Sequence, residues 1–221
     1  MAYTTHPARR AVRSTMRSLS RILAAGLFCV IGTAASHAED KVVRAVMHSG
    51  LRVLDPILSP PHITRNHGYM IYDQLVAIDA DGKIQPQMAS WVASEDGLTY
   101  TFTLRDGLVF HDGAAVTADD VVVSLKRWGA RDGAAAFLMA ATDSIEATDG
   151  RTVTWKLKEQ FPLLLQILGK PSSVPAFIMP ARVAQTPPTE AIKEYVGSGP
   201  FQFVAEEFQP GVKSVYRRFD E

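Results

Sequence analysis

Four histidines, two adjacent aspartates and one serine between glycines are the residues whose chemistry comes first. His48, His62, His67 and His111 form no H-x-x-x-H or H-E-x-x-H arrangement. His62 and His67 are five apart and share no helix face, so no metal site is expected. His111 precedes Asp112-Gly113 and reads as a turn histidine. Asp119 and Asp120 would have to converge on one substrate atom to work as an acid–base pair. Adjacent residues on a helix point about 100° apart, so the pair reads as helix capping instead. Ser198 stands in Gly197-Ser198-Gly199-Pro200, not in the G-x-S-x-G setting of a hydrolase nucleophile. No histidine and acid can be assigned to it as partners. The expectation is therefore no enzyme: no catalytic residue, no metal and no cofactor.

Binding is the chemistry that remains. Gly197 and Gly199 let backbone come close to backbone or to a ligand, and two readings of this loop stand equal, a structural turn and a ligand-contacting loop. Val42 to Met47 reads as a buried strand, and His48-Ser49-Gly50 leaves its end. Loops at strand ends are where open α/β sheets hold ligands. His48, Ser49, Gly50, Ser198 and Gly199 are the candidate ligand-binding residues. Tyr69, Tyr72, Trp91, Tyr100, Trp128 and Trp155 could form a stacking platform, but most lie on apolar faces, and core packing accounts for at least four.

These residues need elements to hold them. Thr99 to Leu104 alternates, with Tyr100, Phe102 and Leu104 on one side and threonines on the other, which predicts a half-buried antiparallel strand. Six Asp-Gly pairs, at 81, 96, 106, 112, 132 and 149, supply hairpin punctuation. One hairpin is expected from Ser144–Ala147 and Thr152–Leu157 across Asp149-Gly150. Thr117 caps a helix whose apolar face is Val121, Leu125 and Trp128. Further helices are expected over 63–74 and 161–168, the latter starting near Pro162. Five prolines break the chain between 171 and 188, and Phe201–Phe208 and Val212–Arg218 read as two strands. Runs of strands with helices between them predict a mixed α/β or α+β fold.

The bulk numbers exclude several classes. Arg9, Arg10, Arg13, Arg17 and Arg21 precede an apolar run, Ile22 to Ala35, and Ser36-His37-Ala38 places small residues at a cleavage site. Residues 1–38 read as a signal peptide cut after Ala38, by the general secretory route rather than the twin-arginine one. Cys29, the sole cysteine, falls inside it, so the mature chain has no disulfide and no cysteine chemistry. Removing the five leader arginines leaves 18 basic residues against 23 acidic, a net of −5. That is no footprint for nucleic acid or an anionic membrane surface.

The run from Tyr69 to Trp128 contains Leu104-Arg105-Asp106-Gly107, Phe110-His111-Asp112-Gly113 and Thr117-Ala118-Asp119-Asp120-Val121. It resembles the family-5 extracellular solute-binding proteins of ABC importers, the peptide and nickel type. Leu54-Asp55-Pro56 matches that family's L-D-P element. Gly197-Ser198-Gly199-Pro200-Phe201 is similar to its G-T-G-P-F/Y element near the hinge and solute cleft, with Ser198 in place of threonine. The resemblance runs from Lys41 to Arg218. It implies a type II-like periplasmic binding protein fold, with 39–56 and 171–221 as a partial first lobe and 57–170 as a hairpin-rich subdomain. A second lobe would follow residue 221, so a truncated product or a fragment is expected. The implied function is the periplasmic substrate-binding component of an ABC transporter. Its solute would be small, a peptide by preference, and its partner an inner-membrane ABC permease, with no nucleic acid partner and a monomeric state. The alternative is a non-transport periplasmic interaction module retaining only the first lobe.

Overall fold

Alternation of aromatic and aliphatic side chains with threonine builds the centre of this protein. In the computed structural model, which describes residues 41–220, Thr99–Leu104 is an inner strand of a four-stranded antiparallel sheet. In chain order the elements are α1 (His62–Ile71), β1 (Val76–Ile78), β2 (Ile84–Pro86), β3 (Ala89–Ala93), β4 (Thr99–Leu104), α2 (Ala118–Gly129) and α3 (Gly133–Ala141). There follow β5 (Thr142–Ala147), β6 (Thr152–Leu157), α4 (Leu164–Gly169), α5 (Ala181–Ala184), β7 (Phe201–Phe203), a 3-10 turn (Ala205–Glu207) and β8 (Tyr216–Arg218). The four-stranded sheet runs β3-β4-β6-β5, and β1-β2 and β7-β8 are separate antiparallel pairs. This is the mixed α/β architecture the sequence predicts.

Register explains the core. Phe102 lies opposite Trp91 and Val153, and Trp155 lies opposite Tyr100 and Ile145. One face of the sheet is therefore apolar, while Thr99, Thr101, Thr103, Thr152 and Thr154 line the other. α2 packs on the apolar face and α3 packs on α2, and the two bury Val121, Leu125, Trp128, Ala135 and Leu138 completely. The two deepest indoles have partners for their N–H groups: Trp128 donates to the Val174 carbonyl at 2.8 Å and Trp155 to Thr142 Oγ1 at 2.8 Å. Phe102 and Trp128 are core residues, as their spacing predicts.

Helix starts follow from single residues. Thr117 and Asp120 close a reciprocal capping box at the start of α2, and the second oxygen of Asp120 accepts the Ala181 amide at 2.6 Å. Asp119 is exposed, so these two carboxylates do not converge. Asp132-Gly133 differs from the expected turn. Asp132 caps α3, accepting the Ala134 and Ala135 amides at 3.0 Å and the Lys170 ammonium at 2.7 Å. Burial alone would raise this carboxyl, but Lys170 and the amides outweigh it and hold it below the usual carboxylate range. Glycines of four other pairs, 82, 97, 107 and 113, take positive φ in turns, as expected.

Four expected elements change. Val42–Met47 forms no strand, and Val43 and Val46 are 92% and 102% exposed. A strand needs a neighbour to satisfy its backbone groups, and none of the described residues pairs with this one. The helix at 63–74 ends at Ile71, because Tyr72 is extended and Asp73 forms a β-bridge with Ile178. The last two strands shorten to three residues each, as the 3-10 turn takes the chain out of its extended path. Residues 46–220 belong to one unit, and 41–45, described separately, are exposed without regular structure.

A buried ion pair ties distant segments together. Asp55, in the Leu54-Asp55-Pro56 element, receives Arg127 through both terminal nitrogens at 3.2 and 2.7 Å and the Ile57 and Ile192 amides at 3.0 Å each. Arg127 also donates to the Thr186 and Glu190 carbonyls, both at 2.9 Å. A buried pair is tolerable only when its remaining donors and acceptors are met, and here they are.

Candidate functional site

The Gly197–Gly199 loop is seated on the end of α1. A side chain on Gly197 would place its Cβ 1.8 Å from the Ile71 carbonyl oxygen, and one on Gly199 would reach 2.7 Å from the Ile71 carbonyl carbon. Glycine is required here for close backbone approach. The Gly199 amide donates to the Ile71 carbonyl at 3.1 Å. From the other side His111 grips the loop. Its amide donates to the Gly197 carbonyl at 2.8 Å, and Nε2 lies 2.9 Å from the Gly199 carbonyl.

Between the two glycines Ser198 is half-buried, and its Oγ lies 3.4 Å from Asp73 Oδ2. Gln87 donates to the other Asp73 oxygen at 2.7 Å. Burial raises the Asp73 carboxyl above its ordinary range, opposed by Ser198, Arg105 and Gln87. The bond at 3.4 Å is at the weak end of hydrogen bonding, so the Ser198 hydroxyl is open to a better acceptor or donor.

His48, Ser49 and Gly50 are all exposed. Gly50 lies against the turn at Gly211, where an added Cβ would come 2.8 Å from the Gly211 Cα. The Gly211 amide donates to the Leu51 carbonyl at 2.9 Å. The His48 ring meets His62 edge-on at 6.4 Å between centroids, and His62 Nδ1 is 2.6 Å from Arg65. The two candidate loops sit at opposite ends of the β7–β8 hairpin. Ser198 and Gly199 lead into its open end, where Phe219 donates to the Pro200 carbonyl, and Gly50 touches its closed end at Gln209–Lys213.

Asp73, Gln87 and His111 are the residues of the Ser198 loop that sequence reasoning does not single out as binding residues. Asp73 and Ser198 are 125 positions apart, and no local spacing links them. His67 is buried: its Nδ1 is 2.7 Å from the Tyr216 hydroxyl and its ring packs on Phe203. Burial lowers its pKa to about 4. Two shallow clefts, of about 380 and about 260 Å³, lie away from both loops, at Lys126–Glu146 and at Arg182–Glu194. Among the described residues no helix is long and apolar enough to cross a membrane.

A family profile, Bacterial extracellular solute-binding proteins, family 5 Middle, matches residues 83–221. The chain belongs to this family. It is 40% identical over 182 residues to "Probable peptide ABC transporter periplasmic-binding protein y4tO" of Sinorhizobium fredii, covering 82% of this chain and 34% of that protein. It is 34% identical over 187 residues to the glutathione-binding protein GsiB of Pectobacterium atrosepticum, covering 83% and 36%. Among solved structures it is similar to MoaA of A. tumefacien R10 in complex with mannopinic acid, at 32% identity and a TM-score of 0.64, over 76% of this chain and 35% of that one. This family-5 chain thus spans about a third of the length of the relatives it matches. The fold is that of periplasmic binding proteins, and the family binds solutes.

Proposed function

We propose that this chain belongs to the substrate-binding component of an ABC importer, that it takes a small peptide-like solute, and that it serves an inner-membrane permease from the periplasm. The observation that carries this reading is the match of residues 83–221 to the family-5 solute-binding proteins. The peptide preference rests on the 40% identity to a relative named for peptide transport. Export would follow from residues 1–38, which lie outside the described residues. The division into 39–56 with 171–221 and a subdomain of 57–170 is supported by the four-stranded sheet, all of which lies within 57–170.

Of the candidate residues, Ser198 is the stronger ligand contact, and Gly199, buried with its amide and carbonyl both engaged, acts by holding it in place. Their backbone is fixed from two sides, and the Ser198 hydroxyl keeps only a long bond. His48, Ser49 and Gly50 contribute from the far end of the hairpin. Only Ser198 of the first loop is partly exposed and the second loop is open to water, so little of a peptide's surface would be buried and affinity would be low. No group set for catalysis is proposed.

The test uses the exported protein. Its N-terminus should read Glu39, and calorimetric titration with di- to pentapeptides should give saturable heat at roughly millimolar Kd. An N-terminus at Met1 would defeat the export reading, and no saturable heat with any peptide would defeat the binding reading and favour the interaction-module alternative.

A further inference from the structure

We propose that His111 is a proton-sensitive latch on the Gly197–Gly199 loop, closed when its imidazole is neutral and released when the ring takes up a proton. Both ring nitrogens face the loop. Nε2 faces the Gly199 carbonyl at 2.9 Å, and the Gly197 amide points at Nδ1 at 3.4 Å. A carbonyl can only accept and an amide N–H can only donate. The arrangement therefore fixes one neutral tautomer, with the hydrogen on Nε2 and the lone pair on Nδ1. A second proton would have to sit on Nδ1 and would point at the Gly197 N–H, donor against donor.

The loop has little room to adjust. Toward α1, Gly197 and Gly199 already lie against the Ile71 and Tyr72 backbone. Its free direction is away from α1. His111 itself is 7% exposed, so a proton taken up there gains little from water. Phe219 closes the ring edge-on at 4.8 Å, and Gln202 reaches the His111 carbonyl at 3.4 Å.

Of the charged groups around the latch, Asp73 faces the loop through Ser198 at 3.4 Å and accepts from Gln87 at 2.7 Å. Asp112, next to His111 on the same turn, is paired with Arg182 at 2.7 Å, and Arg182 is paired in turn with Glu194. Beside Phe219, Arg218 and Asp220 pair with one another. The loop segment itself carries no ionisable side chain. Burial lowers the pKa of His111, and the Gly199 carbonyl and Asp112 only partly oppose this. The sign follows from a base whose folded pKa lies below its unfolded value of 6.5. The latch is closed above about pH 6.5 and opens as pH falls through the titration of the folded ring.

The test is an NMR titration of the 15N-labelled 221-residue chain from pH 7.5 to pH 4, with no ligand present. The expected results are ring shifts of a neutral Nε2–H tautomer for His111 at pH 7.5 and a His111 midpoint below 6.5. Gly197 amide protection, corrected for intrinsic exchange, should fall about tenfold along that midpoint. The Tyr72 amide, bonded within α1 to the Gly68 carbonyl at 2.8 Å, should keep its protection. In His111→Gln, whose amide can donate to Gly199 without titrating, Gly197 protection should not vary with pH. An Nδ1–H tautomer, a midpoint at or above 6.5, or Gly197 protection that is constant or follows the His67 signals would overturn the proposal. If His111→Gln does not fold, the wild-type titration decides alone.

Discussion

Gly197–Gly199 and His48–Gly50 are built from the same materials, glycine and a serine hydroxyl beside a loop turn, yet the fold treats them differently. The first is held between the Ile71 carbonyl and the His111 ring. The second lies in the open and touches one turn at Gly211. The contrast shows that a glycine's worth is set by what stands where its side chain would be. Against a helix-end backbone that cannot move, glycine is a requirement. Against a surface turn, it is a convenience.

The largest expected effect tests that distinction directly. Gly197→Ala should destabilise the protein by on the order of 3 kcal/mol or more, because its Cβ would meet a fixed carbonyl at 1.8 Å. Gly50→Ala should cost less, on the order of 1–2 kcal/mol, since its Cβ would meet the Gly211 backbone less closely, at 2.8 Å. Urea unfolding of both variants checks this. Equal losses would mean the two loops are equally constrained.

Acid should act on the hairpin that separates the loops. His67 fastens α1 to β8 through Tyr216, and burial holds its pKa at about 4, below the 6.5 of the unfolded chain. Its contribution is present above about pH 6.5 and is lost as pH falls through 4. The loss amounts to about 3 kcal/mol. Stability measured from pH 7 to pH 4 should fall accordingly, and His67→Phe should flatten the slope. An unchanged slope in that variant would assign the acid sensitivity elsewhere.

The smallest effect concerns ligand. Ser198→Ala should weaken peptide binding about fivefold, the worth of one ordinary hydrogen bond. Ser49→Ala should change it by less than twofold. Calorimetric titration of the two variants side by side ranks the loops as ligand contacts, and the reverse order would move the site to the other end of the hairpin.

Much of the scaffold was legible because its cues are local. The period-two run of Thr99–Leu104, its counterpart Thr152–Leu157 and the Thr117 cap each carry their structure within a few residues. α3 was not legible. Gly133–Ala141 is apolar on nearly every side, so it shows no helical stripe, and its Asp-Gly start imitates a turn. Val42–Met47 has the composition of a strand, but composition does not provide a partner. The Ser198 site was half legible. The paired glycines pointed to close backbone approach, whereas Asp73 and His111 reach the loop from 125 and 88 residues away. Contacts of that span are set by the tertiary path of the chain and leave no periodic trace.

The ion pair of Asp55 and Arg127 bears on the order of folding. Asp55 is an early residue of the chain, Arg127 arrives 72 positions later and the Ile192 amide 137 positions later. Contacts so distant in sequence are slow to form and impose a late step. A chain emerging N-terminus first therefore carries Asp55 without its full set of partners until Ile192 is free. Until that point this part of the core cannot close around the buried carboxylate.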